Sequence, residues 1–289
     1  MKKLLSVIAM FCIVQMQSFA SECEYYCAKP PYPVGGSVAH IVSNITGMNF
    51  LFTKIAETAM QSELKKETGS NFNVEIKAFG GKNLMDGKFK SMTANTKSIN
   101  YSGVRASDIK VESLCSYNRV VIKDNDLLFP ENFVLKYSGK ITSSDLQAMV
   151  VSQEYLNMLN KMTVSIANKV LFKIYDPSAK IENNKIKMSY KVVTPFLFTT
   201  NTSTIDILAS LKVENSKIVF SDVQVGSPNN KIDLSKIMSL VNYLNPFTTE
   251  VAVSKSTRGI SKIKNVQFIN NQIHFDGLFI IPKNYVITK

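Results

Sequence analysis

The chain has 289 residues, with 34 basic against 22 acidic side chains and a net charge of +12. That length serves one large domain or two small ones. The positive excess points to nucleic acid, anionic lipid or acidic glycan as partners, and the first twenty residues remove the first of these.

Those residues read MKKLLSVIAMFCIVQMQSFA: two lysines, an apolar run from Leu4 to Val14, then Ser18 and Ala20 as small residues before a cut. This is the pattern of a secretory signal peptide spanning residues 1–20. The apolar run falls far short of the ~20 residues that span a bilayer, which disfavours an uncleaved anchor. Lipoprotein processing is disfavoured because Cys23 follows Glu22, where a small residue is expected. Cleavage removes two lysines and leaves a net charge of +10. No later segment is apolar enough to span, so the expected product is a soluble, exported protein of the periplasm or cell envelope, with no nucleic-acid partner. Cys23, Cys27 and Cys115 survive cleavage. An exported protein can form a disulfide, and an odd count leaves one cysteine unpaired or joined to another chain, the pairing being open. Asn44 and Asn201 match glycosylation acceptors, which carry no meaning in a bacterium.

Residues 21–37 form a leader rich in Cys, Tyr and Pro, in which Pro30, Pro31 and Pro33 favour an extended tether. Residues 38–289 read as a single domain. From Met48 to Thr68 the period is helical, with Met48, Leu51, Phe52, Ile55, Ala56, Ala59, Met60 and Leu64 as an apolar stripe and Gly69 as the stop. FNVEIKAF then alternates with Phe72, Val74, Ile76 and Ala78 on one face, and FVLKYSGKI does so with Phe133, Leu135, Tyr137 and Ile141. The stretch TSSDLQAMVVSQEYLNMLNKM returns to helix, with Thr142, Ser143 or Ser144 as cap and a break near Ser152. Strands follow from Val170 to about Phe220, then a helix in DLSKIMSLVNYLNP capped by Asp233 and stopped before Pro246, then a strand pair over Val266 to Ile281. Helix and strand runs in this order predict an α+β fold with a large antiparallel sheet.

One phrase recurs. In IENNKI, Asn183-Asn184 suit a type I′ turn, which sets Glu182 opposite Lys185 and Ile181 opposite Ile186. Asn215-Ser216 set Glu214 opposite Lys217 and Val213 opposite Ile218; Asn270-Asn271 set Phe268 opposite Ile273; Asp124-Asn125 set Lys123 opposite Asp126 and Ile122 opposite Leu127. Each hairpin then carries an apolar pair on one face, and three of the four carry a cross-strand ion pair on the other, worth ~0.2 to 1 kcal/mol per pair. The spacing between copies is irregular, which excludes a solenoid of one period. Ala179, Ile181, Ile186, Met188, Tyr190, Leu211, Val213, Ile218, Phe220, Val266, Phe268, Ile273 and Phe275 form one long apolar face. Such a face fills a large core, curls over a helix to enclose a cavity, or meets lipid or protein. The 17 Phe, 11 Tyr and 12 Met, with no Trp, suit an adaptable lining as well as a rigid core. TPFLFTT places Phe196, Leu197 and Phe198 in a row, as a strand buried on both faces or a cavity mouth; DLLFPENF is similar. Lys185, Lys187 and Lys191 project outward, as a solvated face or an attraction for anionic head groups.

Catalytic patterns are missing. There is no G-x-S-x-G and no Walker motif, and GGK at Gly80 to Lys82 lacks the rest of a P-loop. His40 and His274 lie far apart, with no Cys/His spacing for zinc. Neither an enzyme nor a metal or cofactor site is expected.

The layout resembles a known family. An exported chain with the helix MNFLFTKIAETAMQSELKKETG, then VEIKAFGGKNLMDGKFKSMTANTKSINYSGVRASDIKVESL, then SGKITSSDLQAMV and a β-rich second half is similar to the LmeA-type phospholipid-binding proteins of bacterial envelopes, long catalogued only as a domain of unknown function. The most characteristic piece is Gly87 and Phe89 leading to Val104, Ile109 and Val111, which resembles the family's l-x-G-x-f segment. The similarity covers most of residues 48–282 and rests on loose patterns; the Cys23 and Cys27 leader lies outside it. The resemblance implies a curved antiparallel sheet built of hairpins wrapping long amphipathic helices, as in tubular lipid-binding domains, with an acyl-chain cavity and a role in lipid transfer or envelope glycolipid homeostasis. On facing direction, the expected lining is Leu51, Phe52, Ile55, Phe133, Leu135, Tyr137, Ile181, Ile186, Met188, Phe196 and Phe198. The expected partners are a phospholipid or other acyl lipid and an anionic membrane; the alternative is a non-catalytic structural or protein-interaction module with a filled core.

Overall fold

The computed structural model describes residues 26–27, 48–101, 103–123, 126–166, 169–196, 199–226, 240–247 and 260–287. The signal peptide, the Pro-rich run, Phe198 and the start of the DLSKIM helix lie outside these residues. The helical period yields α1 (Met48–Thr68), closed by Gly69 at φ 70°, whose N–H reaches the Lys65 carbonyl at 2.8 Å. Then come β1 (Asn73–Ala78), α2 (Gly81–Met85), β2 (Lys88–Tyr101), β3 (Val104–Ser113), β4 (Asn118–Arg119), β5 (Val121–Lys123), β6 (Asp126–Phe129) and β7 (Phe133–Ile141). Helices α3 (Ser143–Val150) and α4 (Gln153–Lys161) divide at Ser152, whose hydroxyl caps the second. Thr142 caps the first in a reciprocal box with Asp145. Strands follow: β8 (Val164–Ile166), β9 (Lys169–Glu182), β10 (Lys185–Phe196), β11 (Thr199–Glu214), β12 (Lys217–Gly226), β13 (Ile260–Ile269), β14 (Gln272–Ile281) and β15 (Tyr285–Ile287); residues 240–247 form turns.

The hairpin grammar holds. Ile181 faces Ile186, Val213 faces Ile218, Phe268 faces Ile273 and Ile122 faces Leu127. The turn residues Asn183, Asn184, Asn215, Ser216, Asn270 and Asn271 all have φ between 50° and 63°, as type I′ requires. The charges settle differently: Glu182 pairs with Lys180 and Glu214 with Lys212, each at 2.6 Å, along the strand rather than across the turn. Asp108, Asp176 and Asp222 sit at positive φ where the registers shift, and two of them turn that kink toward a lysine, Asp108 to Lys140 at 2.6 Å and Asp176 to Lys191 at 2.7 Å.

These strands make a mostly antiparallel β protein with few helices, in three sheets. A seven-stranded sheet runs β1-β2-β3-β7-β14-β13 with β4 beside β2; a five-stranded sheet runs β12-β11-β10-β9-β8; a small one runs β15-β6-β5. The expected long helices enclosed by a curved sheet are replaced by another arrangement. Helices α3 and α4 have only eight and nine residues, and they pack on β9, with α3 also touching β3 and β7. The long helix α1 lies against the edge strand β1.

Three apolar clusters result. The largest joins the five-stranded sheet, α3, α4 and parts of β3, β7 and β14. The second lies under α1, between Val74, Ile76, Phe89, Met92, Ala94, Phe129, Phe133 and Ile281. The third occupies the opposite face of β7 and β14, where Val134, Leu278 and Ile280 meet Cys115. A Cys27–Cys115 disulfide pins the leader there, and Lys262 Nζ donates to the Tyr26 hydroxyl at 3.0 Å. At Tyr26 and Cys27, therefore, the expected tether is a packed part of the fold.

Candidate functional site

The structure divides the expected lining between separate cores. Ile181, Ile186 and Met188 sit in the largest cluster, at 6%, 0% and 0% exposure. A side chain with no accessible area adjoins no water-sized void, so Ile186 and Met188 are packed against protein. Phe133 and Leu135 belong instead to the cluster under α1. Tyr137, next on the same strand face, turns to the margin of the largest cluster: its ring packs beside Phe275 and its hydroxyl lies 3.0 Å from the Ser261 hydroxyl. Ile55 points to solvent at 57% exposure. The side chains of Leu51, Phe52 and Phe196 are outside the described residues. The physical reason is sheet order. Alternation tells which side chains share a face, but β7 and β10 lie in different sheets and so turn their faces to different cores.

The cluster under α1 is the looser of the two main cores. Among the described residues, more of its apolar side chains are partly exposed than buried, including Met60, Leu64, Phe72, Leu84, Leu135 and Phe279, whereas the largest cluster has the reverse balance. Phe89 and Phe129 flank Phe133 with ring centroids 6.1 and 5.7 Å away. The roof is held by a residue that the apolar stripe did not include. Glu57 is buried at 4%, its Oε1 accepts the N–H of Ile76 at 2.9 Å, and its Oε2 pairs with Lys54 at 2.7 Å. The face of α1 that meets the sheet is Thr53, Ala56, Glu57, Met60, Gln61 and Leu64, while Ile55 and Ala59 turn outward. An edge strand has N–H groups in want of acceptors, and a carboxylate at the interface supplies one.

The largest cluster contains a polar pin. The Tyr155 hydroxyl donates to the Leu244 carbonyl at 2.6 Å, and the Tyr190 hydroxyl, also 2.6 Å away, then donates to Tyr155. Burial pushes both hydroxyls well above the ordinary tyrosine range, which keeps them neutral donors rather than acid–base groups. On the outer face of β3, β7 and β14, a cleft of about 260 Å³ is lined by Lys110, Glu112, Lys136, Tyr137, Ser138 and Asp276. Its walls are charged, and Lys110 and Glu112 already pair at 2.7 Å. Lys187 and Lys191 likewise meet Asp206 at 3.3 Å and Asp176 at 2.7 Å, so two of the three outward lysines of β10 are paired with carboxylates. Among the described residues, no His, Cys, Asp and Glu gather as metal ligands and no helix is long and apolar enough to cross a membrane.

No family model, curated protein or solved structure matches this chain.

Proposed function

We propose that this is an exported, non-catalytic protein of the bacterial envelope that takes the acyl chain of a phospholipid or related lipid into the apolar space between α1 and the seven-stranded sheet. The observation that carries the reading is the partial exposure of that cluster: Phe72, Leu84, Leu135 and Phe279, with Met60 and Leu64 of the helix itself, stay partly exposed where α1 meets the sheet. Phe and Met linings repack around a flexible chain at low cost. Each methylene moved from water into such a space contributes about 0.8 kcal/mol. On this reading the acyl chain lies under α1 beside Phe133 and Leu135, and Ile186 and Met188 act as supporting core. The tubular arrangement implied by the family resemblance survives only as one sheet face roofed by one helix.

The test is native mass spectrometry of gently purified protein together with uptake of a fluorescent phospholipid. Expected are a bound mass in the phospholipid range and saturable uptake at one site. A lipid-free mass with no uptake after mild delipidation would sink the reading. A second reading, an interaction module with a filled core, draws on the zero exposure of Ile186, Met188, Ile205 and Ile207; it expects that second outcome.

A further inference from the structure

The outer face of the seven-stranded sheet is turned away from the cluster under α1. Val111, Leu135 and Phe279 point inward to that cluster, so their chain neighbours Lys110, Glu112, Lys136 and Leu278 point to the opposite side. Register fixes how these neighbours meet. Ser138 of β7 is paired on one side with Lys110 of β3 and on the other with Asp276 of β14. Directly paired residues project to the same side of a sheet, so one row reads cation, hydroxyl, carboxylate over two strand spacings, about 10 Å at Cα. The short serine between two longer side chains makes the floor of the cleft of about 260 Å³. Two residues along β7, Lys136 faces Glu112, and Glu112 lies 2.7 Å from Lys110. Register shifts in β3 beside Lys110 and in β13 beside Asn265, the partner of Asp276, flank the row, and such bulges bend a sheet. The Lys110 side chain is 53% exposed and that of Glu112 36%, so the charged walls are reached from water.

Size and charge select the ligand. The volume lies below the roughly 300–1,000 Å³ of sites for drug-sized molecules, which calls for a small one. The walls hold two ammonium groups, Lys110 and Lys136, and two carboxylates, Glu112 and Asp276, and so sum to zero. A lone anion would meet both carboxylates and a lone cation both lysines. A molecule bearing one charge of each sign finds an opposite charge at either end. We propose that the cleft binds a small zwitterion laid across β7, with its anionic group at Lys110, its ammonium at Asp276 and the Ser138 hydroxyl between them. That chemistry is shared by a free amino acid and by the phosphoethanolamine head group of a lipid. Because the cleft and the cluster under α1 lie on opposite faces of one sheet, this site is independent of the function proposed above.

The test follows backbone amides by two-dimensional NMR in the full mature chain. The probes are β-alanine, glycerophosphoethanolamine, and the single-charge analogues propionate and ethylammonium, at matched ionic strength. Expected are saturable shifts at Lys110, Ser138 and Asp276 with a zwitterion, and binding about fivefold weaker for each single-charge analogue, the size of one half-exposed ion pair. Ser138→Leu fills the floor and should abolish the saturable shifts. Asp276→Asn should bring β-alanine down to the level of propionate while propionate binds no worse than to wild type. If circular dichroism shows Asp276→Asn unfolded, Lys110→Gln supplies the mirror comparison and should bring β-alanine down to the level of ethylammonium. A response to glycerophosphoethanolamine alone assigns the lipid head group, a response to β-alanine alone assigns a free amino acid, and a response to both assigns the pair of charges itself. The proposal is overturned if neither zwitterion gives saturable shifts at these amides, if the single-charge analogues bind as tightly, or if Ser138→Leu binds as wild type does. Saturable shifts in a protein that takes up no phospholipid keep this site and refute the acyl-chain reading instead.

Discussion

Replacing Glu57 by alanine removes the link between α1 and the edge of the sheet. The Glu57 carboxylate is buried at 4% and accepts the Ile76 N–H at 2.9 Å, while Ile76 itself is only 6% exposed. Its loss leaves that N–H without a partner, and hydrogen bonds to charged acceptors are worth about 1.5–3 kcal/mol. The Lys54 partner is 57% exposed, so the ion pair adds a small and salt-screened amount. The sum is about 2–3 kcal/mol, or roughly 5–10 °C in Tm for a chain of this size. Because the bond lies at the margin of the sheet, the loss is local: exchange of the Ile76 amide should speed up by about 30–150-fold, the same energy written as an equilibrium ratio. Glu57→Gln keeps a carbonyl acceptor and should lose about half as much. Urea melts and residue-resolved hydrogen exchange read the two quantities. If the Ile76 amide in Glu57→Ala exchanges at the wild-type rate while the melt is unchanged, the carboxylate is not what holds the helix.

Two further outcomes follow from buried groups and from the covalent link. The folded state raises the hydroxyl pKa of Tyr155 and Tyr190 above the ordinary value of 10.0, chiefly by burial. Their contribution is fully present below pH 10 and is lost as pH climbs, because only the unfolded chain releases the protons there, at about 1.4 kcal/mol per pH unit and tyrosine. Urea melts at pH 9, 10 and 11 should show this slope, and Tyr155→Phe should reduce it by one tyrosine's share; an unchanged slope refutes the assignment. The Cys27–Cys115 link closes a loop with a sequence separation of 88, for which chain entropy gives roughly 4–5 kcal/mol. Melts with and without reductant, and of Cys27→Ser, should differ from the oxidised protein by about that amount, and a difference below about 1 kcal/mol would place the stability elsewhere.

Local chemistry wrote much of this fold into the sequence. The four hairpin registers were legible because a two-residue turn needing positive φ restricts its residues to Asn, Asp, Ser or Gly, and a period of two then settles every pair outward from it. The α1 span, its Gly69 stop and the division at Ser152 were legible for the same reason: capping acts within a few residues. What alternation cannot state is which face meets which. The late strand β14 lies beside β7, with Ile273 opposite Ile141, and that long-range pairing makes Val134, Leu278 and Ile280 one patch for the Cys27–Cys115 link. Tertiary packing alone separated Phe133 from Met188. It also turned Glu57 inward against its polarity, because an edge strand needed an acceptor, and set Lys110 and Asp276 on either side of Ser138. Backbone hydrogen bonds between distant strands decide such neighbours, and they carry no residue-specific mark in the sequence.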